Sequence, residues 1–172
     1  STKNIAEIKS RVFKGMKPGG CAIINADTLH ADIIIQAAMD CNLQVVRYGE
    51  HDSSDFRLMS YSDETATALF DIYGSAFEIS NLSRHMASNA LACLAVADSL
   101  GLDLAHAVRQ LQLFQPLRGR GFRFSIVEQG RQVFIIDESY NANPLSMSAA
   151  LKDFARFSER GTGILLLGDM LE

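Results

Sequence analysis

The 172 residues are 48% hydrophobic and 21% charged, the make-up of an ordinary globular protein long enough for one good-sized domain or for parts of two. A formal net charge of -4 excludes nucleic acid or an anionic membrane surface as the main partner, while leaving room for a local basic site for phosphate. Cys21, Cys41 and Cys93 are odd in number, far apart and without a CxxC pair, so they form neither a zinc site nor a disulfide framework and suit a reducing cytoplasm. No apolar run approaches the roughly 20 residues that span a bilayer. Ser1 to Lys9 lacks the basic-then-apolar pattern of a signal peptide. The missing initiator Met and the stop at Leu171-Glu172 read as two cut ends.

In chain order, Ile5, Ile8, Val12 and Phe13 recur at helical spacing, and Lys17-Pro18-Gly19-Gly20 closes that helix with turn chemistry. Cys21 to Ile24 is a short apolar strand running into Asn25-Ala26-Asp27. A second helix covers 29–41, with Ile33, Ile34, Ala37 and Ala38 on its apolar face, and Leu43 to Tyr48 is the next strand. This alternation predicts a parallel α/β sheet. After Ser53 the pattern changes: Phe56 to Ser62 and Thr67 to Ile79, with a turn at Tyr73-Gly74-Ser75, predict an antiparallel extension. An Ala- and Leu-rich helix from Arg84 to Leu100 ends at Gly101, and Asp103 N-caps another helix through Leu113.

Phe114-Gln115-Pro116-Leu117-Arg118-Gly119-Arg120-Gly121 has the Pro and Gly content of a domain linker. Beyond it, Phe124 to Val127 and Val133 to Ile136 form a hairpin around Gln129-Gly130. Residues 145–157 form a helix, and Gly163 to Leu167 an apolar strand ending at Gly168-Asp169.

The stretch Ile135 to Pro144 carries the most chemistry. An apolar strand runs into Asp137 and Glu138, then into a polar loop with Pro144 at a helix start. In open α/β sheets such strand ends face the ligand crevice, where carboxylates bind a ribose hydroxyl or a metal and helix amides hold an anion. The other open reading is that Asn143 merely caps the helix and the carboxylates are solvated.

Asp137-Glu138-Ser139-Tyr140-Asn141-Ala142-Asn143-Pro144, followed by Ser146-Met147 and Ala149-Ala150-Leu151, resembles the start of the C-terminal domain in the Mur ligase family. Within the family it is most similar to members that add D-alanyl-D-alanine. Leu167 to Glu172 resembles the next strand and turn. Pro116 with Gly119-Arg120 is similar to the family's inter-domain junction, His85 to Asn89 to its Gly-x-His-Asn-x-x-Asn element, and Asn25-Ala26-Asp27 to a feature of its central domain. The resemblance implies an α/β fold. Residues 1–115 would be the later half of a central, P-loop-type ATPase domain, and 116–172 the first part of a Rossmann-like C-terminal domain.

The resemblance also implies roles. Asn89 would hydrogen-bond adenine, with His85 beside it. Arg120 would reach the ATP phosphates as the catalytic cation, its always-charged fork suited to phosphate oxygens. Asp137 or Glu138 would contact the ribose or orient Arg120. Tyr140, Asn141 and Asn143 would line the face that closes over nucleotide and dipeptide. The implied substrates are ATP, UDP-N-acetylmuramoyl-tripeptide and D-alanyl-D-alanine. The reaction is phosphorylation of the peptide carboxylate to an acyl phosphate, then attack by the dipeptide amine. Two departures stand out: Ser83 replaces the usual Gly, and Met86 the first Asn, which removes an amide from the element.

No G-x-x-x-x-G-K-[ST] loop occurs in these residues. In the family it lies upstream, as do the ligands of Mg2+, so no metal ligand is expected here and the 172 residues alone are expected to be inactive. A sheet cut in mid-order leaves open edges, and dimerisation or strand exchange through them is expected if these residues form a stable piece. The rival readings are a sister ligase with another amino-acid substrate, a non-catalytic nucleotide-binding module, and a stand-alone Rossmann-like protein. The last is disfavoured because no G-x-G-x-x-G follows any strand.

Overall fold

The computed structural model describes residues 1–80, 82–158 and 161–170 and divides into two compact units, Ser1–Leu113 and Phe114–Glu172. Leu171 and Glu172, which close the second resemblance, lie outside the described residues.

In the first unit α1 (Thr2–Ser10) continues into a 3-10 turn, Arg11–Gly15, and is followed by β1 (Cys21–Asn25), α2 (Ala31–Asp40) and β2 (Gln44–Gly49). Then come β3 (Phe56–Ser62), β4 (Thr67–Ile72), β5 (Ser75–Ile79), α3 (Arg84–Ser99) and α4 (Leu104–Gln112). The five strands form one sheet in the order β1-β2-β3-β4-β5, parallel as far as β3 and antiparallel from there, as the change of pattern after Ser53 predicts. The join is narrow. β1 and β2 pair from Cys21↔Gln44 to Asn25↔Tyr48, but β2 and β3 pair only at Tyr48↔Phe56 and Gly49↔Arg57.

The parallel strands have a core on each face, as their apolar content demands. On one face Ile23, Val46 and Tyr48 join the cluster under α3, in which Phe56, Phe70, Ile72, Ile79, Leu91 and Leu94 are wholly buried. Burying each such side chain contributes about 1.5–3 kcal/mol before ordering costs. On the other face Phe13, Ala22, Ile24, Ala38 and Leu43 form a smaller cluster. α3 presents Ala87, Ala90, Leu91, Leu94 and Ala95 to the core, the i, i+3, i+4, i+7 stripe of a helix on a sheet. It ends in a Schellman motif: Gly101 at φ +70 donates to the Asp98 carbonyl and Leu102 to that of Ala97. Asp103 caps α4 by accepting the Ala105 N–H at 2.9 Å.

Of the four residues that recur at helical spacing in the first helix, Phe13 alone is buried. Ile5, Ile8 and Val12 are exposed, while Ala6, Ser10 and Phe13 are buried. α1 packs against α2, and its buried residues are the small Ala6 and Ser10.

In the second unit β6 (Phe122–Glu128) and β7 (Arg131–Asp137) form an unbroken hairpin whose turn, Gln129-Gly130, has positive φ at both residues. α5 (Pro144–Ser158) follows. The strand predicted at 163–167 is absent: the segment is in no strand, and Ile164, Leu165, Leu166 and Leu167 are exposed. An all-apolar strand requires covered faces and a paired backbone, and none of the described residues pairs with it.

Candidate functional site

β1 and β2 end side by side at the carboxyl edge of the parallel sheet, where open α/β folds place ligands. The Asn25 side-chain oxygen accepts the Asp27 N–H at 2.8 Å, folding the chain so that the Asp27 carboxylate meets the loop after β2. There it accepts the Glu50 N–H at 2.8 Å and the His51 N–H at 3.1 Å. Gly49 leaves room for this, since a Cβ at its φ of +147° would run into the Asp27 carboxylate. Asn25-Ala26-Asp27 is thus a tie between two strand ends.

Arg84, the first residue of α3, reaches back to both oxygens of Glu50 at 2.7 and 2.8 Å, and its guanidinium stands 5.8 Å from the Tyr61 ring centroid. His85 and Asn89 are four residues apart on α3, share a face one turn apart, and are both exposed. Ser83 precedes the helix without capping it; its hydroxyl instead bonds His85 Nδ1 at 3.0 Å. The Asn89 amide makes no hydrogen bond among the described residues, so it is not a satisfied core group. Met86 packs against the core cluster under α3. An amide at 86 would therefore lie off the face shared by His85 and Asn89.

The remaining candidates belong to the second unit, where Leu117 to Gly121 is laced to the end of β7. Asp137 Oδ2 accepts the Gly119 N–H at 3.0 Å, and Oδ1 accepts the Ser139 hydroxyl at 2.6 Å and its N–H at 3.1 Å. The Asp137 carbonyl takes the Gly121 N–H, and the Gly119 carbonyl the Tyr140 N–H. Gly119, at φ +79°, is required twice over: a Cβ would also stand 2.9 Å from that of Tyr140. These bonds hold the Asp137 carboxyl below its usual range, led by the Ser139 hydroxyl and N–H, then the Gly119 N–H and the charge of Arg118, with desolvation opposing.

Asp137 is accordingly turned into its own loop, whereas Glu138 is exposed beside Gly121. The Arg120 guanidinium lies 4.1 Å from the Tyr140 ring centroid, a cation–π stack that presents the charge on a flat apolar support. Asn141 accepts the Ala142 N–H at 2.9 Å. Asn143 is the reciprocal cap of α5: its side chain takes the Ser146 N–H at 2.9 Å, and its own N–H goes to the Ser146 hydroxyl at 3.0 Å.

The structure therefore gathers Arg120, Asp137, Glu138, Tyr140, Asn141 and Asn143 at one loop cluster of the second unit, and His85 with Asn89 on one helix face of the first. Among the described residues no group of three or more His, Cys, Asp or Glu side chains could hold a metal. Sequence reasoning missed three participants. Ser139 had a signal, a hydroxyl two residues after Asp137. Glu50 and Arg84 had none, being 34 residues apart in the chain.

Residues 1–97 match the Mur ligase middle domain, and the chain belongs to the Mur ligase family. A curated relative, the UDP-N-acetylmuramoyl-tripeptide--D-alanyl-D-alanine ligase of Bacillus subtilis (strain 168), is 31% identical over 174 residues, covering 100% of this chain and 36% of that protein. The enzyme of the same name from Escherichia coli (strain K12) is 31% identical over 177 residues, covering 38% of that protein. The crystal structure I of MurF from Acinetobacter baumannii superposes with a TM-score of 0.75 at 26% identity, over 91% of this chain and 34% of that one. The chain thus spans about a third of the length of the relatives it matches.

Proposed function

We propose that this chain is the part of an ATP-dependent peptide ligase that adds D-alanyl-D-alanine to UDP-N-acetylmuramoyl-tripeptide. Residues 1–115 would be the later half of the central ATPase domain and 116–172 the first part of the C-terminal domain. The observation that carries the reading is Arg120 mounted on Tyr140 beside the Asp137–Pro144 string, in a chain that matches ligases of that name from end to end. In the reaction, the carboxylate ending the muramoyl peptide takes the γ-phosphoryl group of ATP, giving an acyl phosphate and ADP. The dipeptide amine attacks the acyl carbon, orthophosphate leaves, and an amide with one fewer proton on nitrogen remains.

The residues fit the nucleotide in kind. Asn89 offers an exposed amide outside any hydrogen bond of the described residues, and His85 stands a turn away. Arg120 offers a permanent cation whose ring support restricts it without neutralising it. Asp137 or Glu138 would contact the ribose or orient Arg120; the Asp137 carboxylate also accepts backbone N–H groups, and Glu138 is exposed beside Gly121. Mg2+ would accompany ATP, with its ligands contributed from outside these residues. We assign the reaction to the cytoplasm, where Cys21, Cys41 and Cys93 stay as thiols. Among the described residues the edge strands β1 and β5 are each paired on one side only, and a second copy of these residues would add there.

The test is phosphate release by the full-length ligase carrying this sequence, with ATP, Mg2+ and UDP-muramoyl-tripeptide, with and without D-alanyl-D-alanine. The expected result is release that requires the dipeptide and falls by about 10²–10³ in kcat on Arg120→Ala, the usual effect of removing one charge-stabilising donor. Release indifferent to the dipeptide would assign the chain to a sister ligase, and no release would leave a nucleotide-binding module.

A further inference from the structure

The start of α3 is held from outside the helix. Ser83 does not cap it, its hydroxyl being turned to His85. In place of a cap, Arg84 Nη2 donates to both Glu50 oxygens at 2.7 and 2.8 Å, and its guanidinium stands 5.8 Å from the Tyr61 ring centroid. Glu50 is itself fixed, because its N–H lies 2.8 Å from the Asp27 carboxylate at the end of β1. A chain of contacts therefore runs from β1 through Asp27 to the loop after β2, then through Glu50 and Arg84 to the first turn of α3.

Both side chains of the pair are about half exposed, at 53% and 51%, so its contribution to stability is small, about 0–1 kcal/mol. What a short charge-assisted contact, one guanidinium nitrogen shared between both carboxylate oxygens, does is hold the two groups at a fixed distance. Here the object being held is the turn that carries His85, with Asn89 one turn further along the same face. We propose that Glu50 is a positioning residue of the nucleotide site: through Arg84 it fixes the first turn of α3 and hence the His85–Asn89 face. This rests on the ligase reading above. Its signature is affinity for nucleotide in the ground and transition states alike, so KM for ATP moves and kcat does not.

In the full-length ligase carrying this sequence, Glu50→Gln keeps the size of the side chain and removes the charge. The expected result is a KM for ATP raised roughly threefold to tenfold, with kcat and the thermal midpoint unchanged. The exchanged pair, Glu50→Arg with Arg84→Glu, restores the contact in reverse and is expected to bring KM most of the way back. An unchanged KM in Glu50→Gln overturns the proposal, and so does a KM that rises only with a lowered thermal midpoint and is not rescued by the exchange. Failure of the underlying reading is recognised separately, in the unsubstituted enzyme: no ATP-dependent turnover there removes both.

Discussion

The two units hold a loop at the end of a strand by the same device, an Asp carboxylate on backbone N–H groups, but set it on different supports. In Ser1–Leu113 the Asp27 tie and the Arg84–Glu50 pair rest on a core in which six large side chains, four from the sheet and two from α3, are wholly buried. In Phe114–Glu172, among the described residues, no apolar side chain is buried. Phe134, Val127, Leu145 and Leu166 are more than half exposed, and the Arg120 loop is held by hydrogen bonds and one cation–π stack. A loop set on a core inherits the core's rigidity. A loop set by hydrogen bonds depends on the charge state and geometry of the groups that make them, here chiefly Asp137.

The contrast breaks first on core truncation. Phe70→Ala is expected to destabilise the chain by about 3–5 kcal/mol in urea unfolding, whereas Phe134→Ala, at 76% exposure, is expected to stay within about 0.5 kcal/mol. Equal losses would mean that the hairpin carries as much of the folding energy as the α3 cluster. Helix caps give a smaller contrast. Asp103→Ala and Asn143→Ala each remove a side-chain acceptor from a helix start and are each expected to cost about 1 kcal/mol of helix stability. Read by amide exchange, the first should stay local to α4 on its packed support, while the second should spread along α5.

The smallest effect is a titration. Because the Asp137 carboxyl is held below the ordinary Asp value of 3.8 in the folded chain, its contribution is fully present above that value. It is lost as pH falls through the lower folded value. The amide signals of Gly119 and Ser139 should therefore move together below about pH 3.8 and should not titrate in Asp137→Asn. Amides that ignore pH in the unsubstituted chain would show that the lacing does not depend on the carboxylate charge.

Much of this architecture could be read before any coordinates. Alternation of helix and strand, the turn at Tyr73-Gly74, the cap at Asp103, the stop at Gly101 and the hairpin turn at Gln129-Gly130 are all local signals, and each one held. Failures came where the deciding partner is remote. Ile5, Ile8 and Val12 have the period of a buried face, yet the small residues Ala6 and Ser10 are what pack inward beside α2. Residues 163–167 have the composition of a buried strand, but composition supplies no neighbour.

At the candidate site, the Asp137–Asn143 loop was visible as a string because its residues are adjacent. Its internal division, with Asp137 turned to the backbone and Glu138 outward, was not visible. The Glu50–Arg84 pair spans 34 residues and leaves no trace in either segment.

The narrow join between β2 and β3 has a mechanical consequence. With only two residue pairs across it, the ladder there is the weakest joint of the sheet. α3 touches β1 and β2 on one side of that joint and β3 and β4 on the other. The helix thus acts as a splint, carrying load between the parallel and antiparallel halves through side-chain packing where strand hydrogen bonds are few.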